Sequence, residues 1–138
     1  MMRQIKEITS PFSAHIQIVY IRFPNDEKLP LLPCEAGNII YVFVRGELAI
    51  CPYLVFVARI PRSLYNPEEF IVGNIIKDED VADKFDTYKF RGRCRLGENL
   101  TCKICSLNLQ CGKGCPAAII ASGRRIESLD SLCFHKGI

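Results

Sequence analysis

The residues of this chain best suited to chemistry are its cysteines, and they are unevenly spread. Five of the eight fall within RCRLGENLTCKICSLNLQCGKGCP, Arg93 to Pro116: Cys94, Cys102, Cys105, Cys111 and Cys115. The compact quartet Cys102, Cys105, Cys111 and Cys115 has the spacing C-x2-C-x5-C-x3-C. A two-residue gap lets both thiolates of one turn face a single ion. Gly112 and Gly114 permit the left-handed backbone angles of a second tight turn between Cys111 and Cys115. Four thiolates satisfy Zn2+ in a tetrahedron and leave no coordination position open, so this set points to a structural zinc site. A catalytic zinc would keep one position free and take His or carboxylate among its ligands.

The same cysteines admit other chemistry. Cys94, Cys102, Cys105 and Cys111 read as C-x7-C-x2-C-x5-C, and the words CKICSLNLQC carry a likeness. The run resembles the iron–sulfur cluster loop of helix-hairpin-helix DNA glycosylases, with one residue more in the first gap. No hairpin-helix or catalytic segment precedes it, so the resemblance implies a cluster and neither that fold nor that activity. The ending C-x3-C-P, Cys111 to Pro116, is similar to the close of a bacterial ferredoxin run, although the preceding gap is longer. Residues 102–115 also resemble a nucleocapsid-like zinc knuckle in span, with Cys111 one place late and Cys where that motif has His. Disulfide pairing stays open as well, and spacing alone does not choose a connectivity. Cys133 and His135, as C-x-H, are candidates to replace one ligand or to join Cys94, against a plain reading of His135 as a solvated residue near the C-terminus. Cys34, in a proline-rich stretch, and Cys51, at a strand end, read as small buried hydrophobes.

Signals of catalysis are weak. A nucleophilic cysteine needs a base beside it, and the two histidines are His15, expected inside a strand, and His135. Cys102 and Cys105 form C-x-x-C, but no βαβ pattern precedes them to build a redox site. The acids Asp78, Glu79, Asp80 and Asp83 lack the glycine and spacing of a calcium loop and read as a solvated helix face. No G-K-[ST] phosphate loop is present. Three classes remain: a non-enzymatic binding module with a zinc site, an iron–sulfur or thiol redox protein, and a metal-free, disulfide-stabilised structural or interaction protein of a thermophile or its virus.

Charge favours a partner for the first class. The net charge of +3 splits into −3 over residues 1–87 and +6 over residues 88–138. Such a split suggests an anionic partner, DNA or RNA, or simply cations that solubilise a cysteine-rich region. Tyr88 to Arg95 interleaves Lys89, Arg91, Arg93 and Arg95 with two aromatic rings. If extended, it would turn all four cations to one face, to neutralise phosphates, with the rings available for stacking on unpaired bases. Arg124 and Arg125 add to the same basic surface. The bland alternative is a charged edge strand that resists aggregation.

The elements that must position these residues predict an α+β protein: an antiparallel sheet over 14–60, a few short helices, and a basic, cysteine-rich lobe from residue 88 that binds metal. Residues 14–23, AHIQIVYIRF, read as a central strand, apolar on both faces. Ile39 to Cys51 reads as a hairpin turning at Arg45-Gly46-Glu47. Pro52 reads as a bulge, with a further strand from Tyr53 to Ile60. Asn66-Pro67-Glu68-Glu69 carries helix-start chemistry, whereas Phe70 to Lys77 fits a helix or a strand pair equally. Short helices are expected from Asp78 to Phe85, from Pro116 to Gly123, and through Ile126, Leu129 and Leu132. The longest apolar run, Leu48 to Ile60, holds 13 residues, short of the ~20 a membrane span needs. The N-terminus shows no export signal, so a reducing cytosol is expected, where clustered cysteines hold metal more often than they form disulfides. Oligomeric state is not legible.

Overall fold

The computed structural model describes residues 2–15 and 28–135. In chain order the elements are helix α1 (Met2–Thr9), a 3-10 turn (Ser10–Phe12), strands β1 (Tyr41–Val42) and β2 (Glu47–Ala49), helix α2 (Pro52–Ala58), a 3-10 helix (Pro67–Phe70), strand β3 (Ile71–Asn74), and helices α3 (Val81–Tyr88), α4 (Phe90–Cys94), α5 (Leu100–Ile104) and α6 (Pro116–Ala121). The result is a small α+β fold: a three-stranded antiparallel sheet, ordered β1-β2-β3, with several short helices.

The predicted hairpin forms. Tyr41 lies opposite Ala49 and Val42 opposite Leu48. The chain reverses where the Gly46 N–H donates to the Phe43 carbonyl at 2.8 Å. Gly46 adopts φ +82°, and a Cβ there would stand 2.8 Å from the Ile76 side chain, so the turn needs glycine on two counts. β1 is an exposed edge, and Leu48 and Ala49 of β2 are buried.

The third strand is not the predicted one. Tyr53 to Ile60 is helical: α2 begins at Pro52, which occupies the first helical position behind an extended Cys51. Pro lacks an N–H that the first turn would leave unbonded anyway, so there it starts a helix instead of bulging a strand. Leu54, Val55 and Ala58 are all buried, a helical spacing on one face. Helix packing against α6 overrides the β preference of the Val and Phe residues. β3 supplies the sheet's third strand instead, pairing Leu48 with Gly73 and Ala49 with Ile71 across an irregularity in β2. It ends at Asn74, whose side-chain oxygen accepts from the Ile76 N–H at 2.9 Å while Asp78 accepts from the Asn74 N–H at 2.8 Å.

Other corrections follow from local hydrogen bonding. The expected strand over 14–23 lies outside the described residues from 16 onward. His15, expected in a core, is exposed in a turn, its N–H donating to the Phe12 carbonyl at 3.0 Å. α3 starts at Val81 behind Asp80, because Asp78 is engaged with Asn74 and Lys84. Residues 88–95 are not extended: α3 and α4 are split at Lys89, which adopts φ +45°. The four cations therefore do not share a face at period two. Ile126 to Leu132 forms turns, not a helix. Asn66 caps the 3-10 helix with a full capping box, and α6 runs from Pro116 to Ala121 with Gly123 at φ +75° just beyond.

One apolar core joins segments far apart in the sequence: Ile50, Leu54 and Phe70 pack in the same cluster as Phe90, Cys94, Ile120 and Ile126. Among the described residues no helix is long and apolar enough to cross a membrane.

Candidate functional site

The cysteine segment is built around α5 and the turns that follow it. Asn99 caps α5, its Oδ1 accepting from the Cys102 N–H at 2.9 Å, and its Nδ2 donates to the Glu127 carbonyl at 2.9 Å. Cys102 sits in the helix and Cys105 ends it in extended conformation. The chain then turns twice, through Asn108 N–H to the Cys105 carbonyl and Cys111 N–H to the Leu107 carbonyl, both at 2.9 Å. Lys113 takes φ +65°, and its N–H points at the Cys111 sulfur at 3.4 Å.

Cys133 reaches the same neighbourhood from the far end of the chain. Burial pushes its thiol up, the His135 N–H pulls it down, and the charges of Cys102, Cys111 and Cys105, in that order, push it up further. All three are thus within electrostatic range of it. The predicted fourth ligand, Cys115, occupies the cap position of α6, its N–H donating to Asp130 Oδ2 at 2.8 Å. Cys115 acts on Cys51, the cap residue of α2, whose thiol is raised first by burial. Cys34 acts on Cys94 in the same way: Cys94 is 7% exposed and its thiol is pushed up to about 12, chiefly by burial and then by Cys34. None of the eight cysteines is in a disulfide. Among the described residues, no group of three or more His, Cys, Asp or Glu side chains lies close enough together to hold a metal ion.

Two residues that spacing did not single out hold this region together. Asp130 is 2% exposed; its carboxylate accepts from the N–H groups of Cys115 and Leu132, each at 2.8 Å, and its carbonyl accepts from the Cys133 N–H at 3.0 Å. Asn99 ties α5 to residue 127, as above. A cap residue three positions before Cys102 was a readable signal for Asn99; a single aspartate in a basic stretch is no signal for Asp130.

The predicted basic residues are scattered. Arg93 stacks its guanidinium 4.8 Å from the Tyr88 ring. Arg95 pairs with Glu98 at 2.8 Å and Arg125 with Glu127 at 2.6 Å. Arg124 donates to Ser122 Oγ at 2.9 Å. Lys89 is exposed and Arg91 lies in α4. Lys89 and Phe90 border a shallow hollow of about 200 Å3 that contains none of the cysteines. His135 stacks on Phe134, centroids 4.1 Å apart.

Comparison of the chain with protein-family models, with curated proteins and with solved structures returned no match.

Proposed function

We propose that this chain is a non-enzymatic binding module whose C-terminal part is held by a structural zinc ion on four cysteine thiolates, those of Cys102, Cys105, Cys111 and Cys115. What supports the reading is the spacing of four cysteines within one turn-rich segment, with the Lys113 N–H donated to the Cys111 sulfur at 3.4 Å. The donor set fits the ion: soft thiolates suit zinc, and four of them close its tetrahedron. Zinc binding in small cysteine sites releases ~10–16 kcal/mol at neutral pH. A reducing, intracellular compartment is part of the proposal, since it keeps these thiols available to metal.

The partner we propose is nucleic acid. The charge of +6 over residues 88–138 falls to +4 once four thiolates surround one Zn2+, and it stays positive. Arg95 and Arg125 spend part of their attraction on neighbouring carboxylates, which weakens but does not abolish an exposed cation's pull on phosphate. Elemental analysis of the purified full chain is the test of the metal: one zinc per chain is expected. Iron with visible absorption would replace the reading by the iron–sulfur one, and metal-free chains with no titratable thiols would replace it by the disulfide one. For the partner, binding to a short single-stranded oligonucleotide is expected at low salt and should weaken steeply as salt is added; no binding at low salt would remove nucleic acid from the account.

A further inference from the structure

We propose that β1 is a docking edge for a second copy of this chain, and that two copies join by antiparallel β1–β1 pairing into one continuous sheet. The pairing needs no metal and is independent of the zinc reading.

The first observation is the direction of the backbone. The Phe43 N–H donates to the Glu47 carbonyl at 2.9 Å, with Tyr41 opposite Ala49 and Val42 opposite Leu48. Bonded positions alternate in an antiparallel ladder, so Tyr41 and Phe43 face β2 while Val42 turns its N–H and C=O outward. Among the described residues no strand lies beyond them. The other edge of the sheet is closed: the Asn74 N–H of β3 is held by Asp78 Oδ2 at 2.8 Å, and α3 packs against that strand. One open edge and one closed edge permit a pair of copies and not a fibre.

The second observation is what the open edge is made of. Ile39 to Val44, IIYVFV, contains neither a charge nor a proline, the residues that usually guard an edge against other strands. Its side chains nevertheless stand in solvent: Val42 is 55% exposed, Ile39 and Ile40 about as much, and Val44 fully. Exposed Ile76 lies against Gly46 and carries the apolar surface round the turn. A contiguous apolar patch of this kind marks a site of association.

The third is that β1 suits itself. A strand edge takes a strand. A twofold axis through Tyr41 sets Ile40 opposite Val42 of the second copy and Ile39 opposite its Phe43, so apolar side chains meet across the seam. The same axis carries the exposed Arg45 at the turn of one hairpin toward the exposed Glu35 ahead of the other, opposite charges at both ends. A standard interface takes roughly 800 Å2 from each partner. One short strand with its flanking side chains supplies less, so the dimer forms reversibly in the micromolar range.

The test is sedimentation equilibrium of the full chain with reductant and chelator present, so that neither disulfides nor metal join copies. The mass is expected to rise from one chain to two between low micromolar and several hundred micromolar protein. Val42→Pro removes an N–H that β2 does not use, and Val42→Lys puts a charge in the seam; both should remain monomeric over that range. Ile8→Lys, an exposed change on α1, should dimerise as wild type does. A wild-type chain that stays monomeric throughout, a dimer indifferent to both Val42 variants, or assembly beyond two copies would each overturn the proposal.

Discussion

Asp130 is the residue on which the C-terminal part turns. Its carboxylate satisfies two part-buried backbone N–H groups, one on each of the segments that meet there. Asp130→Ala leaves both unpaired, at ~1–3 kcal/mol each, so its urea midpoint should fall well below that of wild type; Asp130→Asn, which keeps one acceptor oxygen, should fall less. Gly114 belongs to the same contact, since a Cβ there would collide with the Asp130 carboxylate. Cys94 supplies a prediction in pH. The fold raises its thiol from 9.0 to about 12, chiefly by burial, so it favours the neutral form. That contribution is complete below pH 9 and is lost as pH rises from 9 toward 12. Unfolding midpoints across this window should drop more steeply for wild type than for Cys94→Ala; parallel curves would show that the thiol ionises equally readily in the folded and unfolded chain. What was readable here was the C-x2-C spacing of Cys102 and Cys105, because spacing is local. The involvement of Asp130 was not, because its partners are 15 residues away and two residues away and nothing in its own neighbourhood announces either.

At the scale of elements, the α2–α6 contact holds the halves together. Leu54 and Ile120 are fully buried across it. Truncating either to Ala should cost ~2–5 kcal/mol, the range for a large-to-small change in a packed core; a loss under about 1 kcal/mol by chemical denaturation would mean that the two helices do not share a core. The hairpin and α6 were legible because each carries its punctuation in the sequence: Gly46 at a turn that demands positive φ, and Pro116 and Gly123 at the two ends of a helix. α2 was not, since Leu54-Val55-Phe56-Val57 has the composition of a strand and the burial that makes it a helix comes from α6, 60 residues on. The alternation of cations and rings over 88–95 misled for a similar reason: period two looks the same whether or not Lys89 breaks the chain into two helices. The run Ile126, Leu129, Leu132 has helical spacing, but Asp130 takes the N–H groups of Leu132 and Cys115, and a side chain that bonds backbone in this way competes with a helix.

For the whole molecule, the fold class was within reach of composition and pattern, and the sheet's third strand was not. The chain folds one core from Ile50, Leu54 and Phe70 together with Phe90, Ile120 and Ile126. Residues 95–115 contribute little to that core; they are turns and one short helix, mostly half-exposed. A metal ion is what would fix them. A ligand that binds only the folded form stabilises it by mass action, ~2.7 kcal/mol when its free concentration is one hundred times Kd. The most direct test of the central claim is therefore a zinc titration of the chelator-stripped, reduced full chain, followed by thermal unfolding. The account predicts a melting temperature that rises with added zinc, with binding saturating at one equivalent per chain and reversing on chelation. A melting temperature indifferent to zinc would contradict it.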